Sequence, residues 1–405
     1  MKSFKTELIL NNKEITKCKK HAGVARHAWN WALEQTQKAL DDKELLPSAI
    51  ILHKRLVAEV KKNNPWYYEV SKYTPQQALR NLEVSWKRCF KKLSKKPKFK
   101  KKEQNDSFYL EGKIQIKGNK IKLPNLGWIK THEVLPEILK GESGTANVTI
   151  SERAGRWFIS YKVNHKPEIT DKTLDCAGMD LGIKTLATLS DGTTFENPKA
   201  YRKNKAKLSR TQRSFSRKKK GSANGTKQKQ KLRKIHYRIA NIRKNAIHKI
   251  TSYLTKNHSE IVLEDLNVSG MMKNHKLASA IADCGFHEFR RQLEYKSEWH
   301  GCTLTFVDRF FPSSKIFSNC GCKKEQLSLS ERMFNCSDCG FQIDRDLNAA
   351  INLKKQIKSI PEALGELTPV EMKALVAGKA SNETIVTEAG IKYQLRTNVQ
   401  NCVSF

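Results

Sequence analysis

Three acidic residues stand at positions where carboxylates can do chemistry. Asp180 ends the short apolar run AGMD, Glu264 ends EIVLE, and Asp346 opens the helical pattern DLNAAINL. In open sheets that contain parallel strands, sites form at the carboxyl ends of the strands. Carboxylate oxygens bind hard cations such as Mg²⁺ or Mn²⁺, and a pair of such ions can catalyse phosphodiester cleavage. The three acids are therefore candidate catalytic metal ligands.

Each acid also has a purely structural interpretation. Asp180 could be a turn residue, and Glu264 could be a surface acid at a strand end, with the adjacent Asp265 competing for its role. Asp344 or Asp346 could cap the helix, because an acid at a helix N-terminus stabilises it. Their occurrence together on a basic chain favours the metal-ligand interpretation.

A cluster of cysteines precedes the last of these acids. The ten cysteines do not form a disulfide framework, because six are scattered and four lie between 320 and 339. This clustering indicates a metal site in a reducing compartment. A structural zinc site needs four ligands. The predicted ligands are Cys320, Cys322, Cys336 and Cys339, and the alternative is a degenerate ribbon that folds without metal.

The chain is strongly basic. Of 405 residues, 76 are Lys or Arg and 40 are Asp or Glu, which gives a net charge of +36. Self-repulsion of this size favours a polyanionic partner, and Lys and Arg supply phosphate contacts to nucleic acids. A generically basic protein is the alternative. Residues 201–245 contain 18 Lys and Arg and no acid, and the predicted contacts there are Arg210, Arg213, Arg217, Lys218, Lys219, Lys220, Lys231, Arg233, Lys234, Arg238 and Arg243.

The elements that must position these residues follow from periodicity. Residues 2–10 alternate as a strand, 16–105 have helical spacing, and 107–163 contain short strands separated by turns. Beyond 175, apolar strands alternate with helical segments, and 201–250 reads as two basic helices. The pattern predicts an α+β protein of several domains. Because the chain has no long apolar run, we expect no membrane span and a cytoplasmic, nucleoid-associated location.

Three motifs together resemble one family. GMDLGIKTLATLSDG, IVLEDLNVSGM and CGFQIDRDLNAAINL, with the cysteine cluster just before the last, are similar to motifs of the TnpB (OrfB) family of insertion-sequence proteins, relatives of compact type V CRISPR nucleases. The resemblance covers about residues 1–365. It implies a RuvC-like nuclease domain of RNase H-like fold with a mixed sheet (171–311 and 340–365), an oligonucleotide-binding-like β-barrel wedge (1–15 and 106–170), a helical recognition insert (16–105) and a zinc-ribbon insert (312–339). Residues 366–405 have little periodicity, which predicts a disordered tail.

The resemblance also implies a function. Family members are RNA-guided, divalent-metal-dependent DNA endonucleases encoded by transposable elements. A guide RNA from the end of the element directs hydrolysis of double-stranded target DNA next to a short motif. Target sequence is then read by base pairing, while the protein holds the heteroduplex by its shape and backbone. We expect a monomer that uses Mg²⁺ (or Mn²⁺) and Zn²⁺.

Individual roles follow by motif. Asp180, Glu264 and Asp346 correspond to the first, second and third catalytic acids. Asn348 is expected near the metal, and Asp344 and Arg345 are expected to support the helix start and the local charge. At the other end of the chain, the motif-reading residues are predicted to be Lys72 and Gln76, through base contacts in the major groove.

The chain departs from the family pattern at one position and leaves two other functions open. The usual C-x-x-C-G would begin at 317, where this chain has Phe317, which puts zinc binding in doubt. One alternative function is a guide-dependent, non-cleaving repressor, but all three acids are present. The other is a transposase that transfers strands. Since no two of the eleven histidines are two residues apart, the His-hydrophobic-His motif of tyrosine transposases is absent.

Overall fold

The structure, a computed structural model, describes residues 2–164, 166–325 and 331–359. The predicted tail lies outside these ranges. The strands are β1 (Lys2–Ile9), β2 (Ser107–Gly112), β3 (Gln115–Lys117), β4 (Lys120–Leu123), β5 (Gly127–Thr131), β6 (Ala146–Arg153), β7 (Arg156–Val163), β8 (Ala177–Asp180), β9 (Thr185–Leu189), β10 (Thr194–Glu196), β11 (Glu260–Glu264), β12 (Thr303–Val307), β13 (Met333–Asn335) and β14 (Gln342–Asp344).

Helices lie between these strands. The α-helices are α1 (Asn12–Asp41), α2 (Ala49–Arg55), α3 (Tyr73–Phe90), α4 (Ala200–Ser216), α5 (Ala223–Asn257), α6 (Val268–Met271), α7 (Ala278–Cys284), α8 (Phe286–His300) and α9 (Arg345–Lys355). A π-helix spans Leu56–Lys61, and 3₁₀-helices span Pro65–Glu69 and Gln356–Ser359. The architecture is α+β with mixed and antiparallel sheets. Among the described residues, no helix has the length and apolar character needed to span a membrane.

The N-terminal half is built on a seven-stranded antiparallel sheet in the order β2-β6-β7-β1-β5-β4-β3. Strand β1 joins its two parts, because it pairs with β7 along most of its length and with β5 at Leu8 and Ile9. In the described part of the chain, β2 and β3 are edges, so the predicted barrel appears here as an open sheet. Helices α1 and α3 pack on this sheet, and Leu33, Leu82 and Ile150 share one hydrophobic core.

The second sheet contains the first two candidate acids. Its order is β10-β9-β8-β11-β12, with β8 antiparallel to β9 and parallel to β11. Met179 of β8 pairs in register with Leu263 of β11. Because the two strands are parallel, their next residues, Asp180 and Glu264, emerge side by side at the same sheet edge.

The basic helical pair is held by acids from elsewhere in the fold. Helix α5 begins at Ala223 inside the predicted turn, with Ser222 as its N-cap. Asp283, buried at the end of α7, accepts hydrogen bonds from the backbone N–H groups of Tyr201 and Arg202 at 2.8 to 3.1 Å. It therefore neutralises the N-terminal end of α4, where the chain itself supplies no acid.

Helix α9 lies almost in contact with the backbone of β8. A β-carbon added at Gly178 would lie 2.0 Å from the carbonyl oxygen of Ala350 and 2.5 Å from the backbone nitrogen of Lys354. Only glycine permits this approach. The contact sets the distance between the first turn of α9, which carries Asp346, and the end of β8, which carries Asp180.

We expect Gly178→Ala to lower the free energy of unfolding by about 1–3 kcal/mol or more, the usual cost of overpacking a filled interior. The added carbon meets backbone atoms, so the clash is relieved only by moving α9 away from β8. Thermal unfolding followed by circular dichroism measures the effect.

Gly141→Ala is the matched control. A β-carbon at Gly141 meets only the carbonyl oxygen of Thr145, at 3.8 Å, which is ordinary van der Waals contact. Its melting temperature should stay close to that of the unsubstituted chain. A Gly178→Ala protein as stable as this control would contradict the close packing of α9 on β8.

Candidate catalytic site

The three candidate acids converge at one edge of the mixed sheet. Asp180 and Glu264 end neighbouring parallel strands, and α9 brings Asp346 against them. All three are half-buried. Burial, together with the nearby carboxylates of Asp346 and Glu264, raises the pKa of Asp180 to about 7, while the Arg345 guanidinium opposes the shift. Asp180 therefore experiences the charge of both other acids.

The three acids interact but do not form one compact cluster. In the described ranges, only a group of cysteines brings three ligand atoms within 4.8 Å of one another. The three carboxylates are thus near enough to interact but too spread to surround a single ion closely. The carboxylates of Glu264 and Asp346 both raise the pKa of Asp180, so Asp180 interacts with both. Carboxylate oxygens of this kind could hold hard divalent cations such as Mg²⁺.

The competition between Glu264 and Asp265 is decided by ion pairs. Asp265 accepts hydrogen bonds from the guanidinium groups of Arg290 and Arg309, which lower its pKa. Burial raises the pKa of Glu264, and the neighbouring Asp265 adds to this shift. Asp265 thus holds arginines, and Glu264 is the acid beside Asp180.

A groove of about 440 Å³ opens beside Glu264, and sequence reasoning did not predict its cationic wall. Arg290, Arg291 and Arg309 line it together with Glu264. Arg290 also stacks on the ring of Phe306, 4.1 Å from its centroid. In the sequence, the only feature that could have indicated this cationic wall was the position of Arg309 just after a strand. Guanidinium groups next to a carboxylate cluster suit a phosphate-bearing strand.

The start of α9 is built so that one acid caps the helix and the next faces the site. Asp344 is the N-cap, and its Oδ1 accepts from the backbone nitrogens of Asp346 at 2.9 Å and Leu347 at 3.1 Å. This cap leaves the carboxylate of Asp346 available, with Arg332 Nη1 3.8 Å from its Oδ1.

Asn348, expected near the metal ligands, forms hydrogen bonds to the ribbon. It is fully buried, its Oδ1 accepts from Ser318 N at 2.8 Å, and its Nδ2 donates to Ile316 O at 2.7 Å. Asn352, one turn later, donates to Ile316 O and to Ser313 O. The two asparagines fasten the beginning of the ribbon to α9. Their spacing of four on the buried face was the available signal.

The cysteine cluster contains three of the four predicted ligands. The sulfur atoms of Cys320, Cys336 and Cys339 lie within 4.8 Å of one another, and those of Cys320 and Cys336 are 3.6 Å apart. Cys322 is outside this group. The carboxylate of Asp338, hydrogen-bonded to its thiol, raises the pKa of Cys322 to about 11, and the nearby Cys336 and Cys320 add to the shift. The structure thus places Cys322 near the three clustered sulfur atoms but not among them.

Phe317 occupies the position where the family pattern has its first cysteine. Its ring is buried and stacks on Phe334, with centroids 3.9 Å apart and an angle of 15° between planes. Cys336 and Ile343 complete this small core beneath the antiparallel pair β13–β14. An aromatic stack thus fills the space near the cysteines and contributes packing that a metal alone would otherwise supply.

Most of the predicted nucleic-acid contacts are exposed, and two make contacts within the protein. Arg233 forms an ion pair with Glu152 of β6 and is half-buried. Arg243 donates to the carbonyl oxygen of Ala282. These two arginines join α5 to other elements. The remaining nine are exposed: Arg210, Arg213, Arg217, Lys218, Lys219, Lys220, Lys231, Lys234 and Arg238.

The two predicted motif-reading residues lie at the start of α3. Lys72 is exposed, and its Nζ lies 5.3 Å from the ring centroid of Tyr73. Gln76 is half-buried one turn into the helix. The exposed cation and the amide are thus on neighbouring turns of one helix end.

Family models match three parts of the chain. Residues 158–275 match a family described as "Probable transposase", and residues 286–353 match a Cas12f1-like TNB domain. Residues 1–44 match a helix-turn-helix domain, although the structure has one strand and a single long helix, α1, in that range. The TNB match includes the three clustered cysteines and Asp346.

Two relatives are similar over almost the whole chain. A protein of Streptomyces pristinaespiralis, named a candidate RNA-guided DNA endonuclease, is 35% identical over 359 residues, 87% of this chain and 88% of that protein. A protein of Escherichia coli K12 with the same description is 33% identical over 374 residues, 87% of this chain and 91% of that protein.

A solved complex of Cas12f1 with guide RNA and target DNA is a more distant match. It is 15% identical, with a TM-score of 0.34, and covers 87% of this chain and 98% of that chain, a likeness too remote to bear on the site. The two bacterial relatives suffice to confirm the resemblance seen in the motifs, and the chain belongs to the TnpB (OrfB) family.

Proposed function

We propose that this protein is an RNA-guided DNA endonuclease encoded by a transposable element, and that it hydrolyses target DNA with divalent ions held by Asp180, Glu264 and Asp346. The observation that carries the proposal is the convergence of these three acids on Asp180. The names of the bacterial relatives, candidate RNA-guided DNA endonucleases, support it. The order of the mixed sheet, with three antiparallel strands and two parallel to the first, supports an RNase H-like, RuvC-type fold.

The donor set fits Mg²⁺ or Mn²⁺, because it consists of carboxylates alone. When bound, such ions activate a water and stabilise the leaving oxygen of the cleaved phosphodiester. Asp180, whose pKa is raised to about 7, must give up its proton for the site to form, so the site assembles more readily as the pH rises through about 7. Arg290 and Arg309, held in place by Asp265, would bind the phosphates of the DNA strand.

The partners follow from the distribution of charge. The nine exposed cations of α4, α5 and their connection would contact the phosphates of guide RNA or heteroduplex. Lys72 and Gln76 remain the proposed readers of a short motif beside the target. We propose a monomer in the bacterial cytoplasm, associated with the nucleoid.

Strand transfer is the second candidate function, because the matched family is described as a transposase and carboxylates with metal can also catalyse that reaction. The two are separated by their products: an endonuclease leaves free DNA ends, whereas a transposase joins them to another strand. A non-cleaving repressor would bind the same DNA and leave it intact.

The ribbon is proposed to bind zinc through Cys320, Cys336 and Cys339. A closed structural site has four protein ligands, so a water or another small ligand would complete the coordination. The stack of Phe317 on Phe334 would stabilise the ribbon beside this incomplete site.

The first prediction concerns Asp180→Asn. It should reduce RNA-dependent, Mg²⁺-dependent DNA cleavage by at least about 100-fold. Because the folded protein raises the pKa of this acid from 3.8 to about 7, its ionised form destabilises the native state increasingly from pH 4 to pH 7. The metal-free variant should therefore be more stable than the unsubstituted protein at pH 8, by up to about 4 kcal/mol, and the difference should shrink towards pH 4.

Thermal unfolding in a chelator at several pH values, with cleavage assays on matching DNA, measures both effects. Asp191→Asn is the control, since Asp191 is an exposed turn residue. Cleavage that persists in Asp180→Asn, or that needs no RNA, would refute the proposed function.

The second prediction concerns zinc. Cys336→Ser should lower the zinc content of the purified protein, from about one ion per chain towards none, because it removes a clustered thiolate. Cys322→Ser should leave the zinc content unchanged, since this thiol faces Asp338. Elemental analysis after gel filtration measures both. Loss of zinc in Cys322→Ser would show that Cys322 is the fourth zinc ligand.

A further inference from the structure

A groove of about 620 Å³ lies in the helical block, far along the chain from the acids. Its floor is one face of α1, its first wall is the 3₁₀-helix Pro65–Glu69, and its second wall is the extended segment 98–100. A cavity of this size is typical of sites for small organic groups. None of the roles assigned above uses it.

Two exposed aromatic rings, Trp66 and Phe99, line this groove. Contacts with neighbouring side chains fix the orientation of Trp66. Trp66 is 38% exposed, stacks on Tyr67 at 4.5 Å, and donates from Nε1 to Asn64 Oδ1 at 3.1 Å. His27 meets the indole edge-on at 5.1 Å and hydrogen-bonds Tyr67 Oη at 2.8 Å. The ring of Trp66 is therefore oriented before any ligand arrives.

Phe99 forms the opposite wall and is 51% exposed. The backbone on both sides of it is attached to α1. Trp29 Nε1 donates to Lys98 O at 3.1 Å, and Asn30 both accepts from Lys100 N at 2.8 Å and donates to Lys100 O at 3.0 Å. These bonds fix the segment, so Phe99 is presented to the groove on a rigid support.

The floor contains a glycine that the fold does not require. Gly23 lies inside the 30-residue helix α1, where glycine costs about 1 kcal/mol relative to alanine. A β-carbon built there meets only Arg26 Nη2, at 3.8 Å, so the helix itself has room for a side chain. Glycine at this position keeps the floor of the groove open.

The charges at the groove determine what it can accept. Glu34 and Glu69 line it together with Lys20 and Arg26. Glu69 forms an ion pair with Lys20, and Glu34 forms one with Lys38. The carboxylate oxygens can still accept further hydrogen bonds from a ribose 2′-hydroxyl or an exocyclic base amine. Lysines nearby, including the Lys-rich stretch 87–102, can hold the flanking phosphates.

We propose that this groove binds an unpaired base of the guide RNA, stacked against Trp66 and Phe99, with its sugar hydroxyl or base amine donating to the carboxylates. Stacking of splayed bases on aromatic side chains is the common mode of single-stranded RNA recognition, and the 2′-hydroxyl separates RNA from DNA. The proposal rests on the proposed function for the identity of the RNA, but it concerns binding and not cleavage.

The test measures affinity of the full-length protein for a fluorescent adenine RNA of about ten nucleotides, and for DNA of the same sequence. Trp66→Ala and Phe99→Ala should each weaken RNA binding about five- to 100-fold. The slope of affinity against salt should stay unchanged, because no phosphate contact is lost. DNA of the same sequence should bind more weakly than RNA, and the two substitutions should reduce its affinity by a smaller factor.

Gly23→Leu tests the groove without removing an aromatic ring. It should weaken RNA binding to a similar extent while the melting temperature stays equal or rises, since leucine is a better helix former than glycine. Trp128→Ala, which removes an equally exposed indole on β5, is the control and should bind RNA normally.

The outcomes separate this proposal from the nuclease assignment. Asp180→Asn should bind RNA with unchanged affinity, because Asp180 does not line the groove. Loss of cleavage in this variant therefore does not bear on the groove proposal. Normal RNA binding in both Trp66→Ala and Gly23→Leu would overturn the groove proposal. Equal losses for RNA and DNA would overturn the choice of RNA as its ligand.

Discussion

The close approach of α9 to β8 is the constraint on which the catalytic edge depends. Gly178 has no side chain, so the backbone of α9 at Ala350 and Lys354 lies directly against the strand. The acid on the first turn of that helix then reaches the acid at the end of β8. The parallel register of β8 and β11 supplies the third acid. Two backbone geometries, one between strands and one between helix and strand, thus bring together residues far apart in the chain.

In this chain of net charge +36, the acidic residues have two kinds of environment. Several serve as fixed partners for cations or helix ends: Asp283 caps the basic helix α4, Glu152 joins the sheet to α5, and Asp265 holds two arginines beside the site. The three candidate catalytic acids instead lie near one another, and the pKa of Asp180 is raised by burial and by the other two carboxylates. Repulsion between neighbouring carboxylates disfavours their ionised forms, and a bound cation would relieve that repulsion.

The two surfaces proposed to bind nucleic acid differ in chemistry. The exposed cations around α4 and α5 suit phosphates and carry no sequence information. The groove on α1 has aromatic walls and carboxylates, which suit a base and a sugar. Both surfaces are consistent with a protein that must hold an RNA firmly while exchanging the DNA that it contacts.

The sequence by itself determined the α+β class, the identity of the three acids, the helix cap at Asp344 and the basic character of 201–245, because these depend on residue type and local periodicity. It also led to the family, whose motifs are short and contiguous. Only the tertiary structure decided that Asp265 pairs with arginines, that Asn348 fastens the ribbon, that Cys322 lies outside the cysteine group, and that Arg233 and Arg243 join elements. Each of these outcomes depends on which distant group a side chain meets, and spacing along the chain carries no information about that distance.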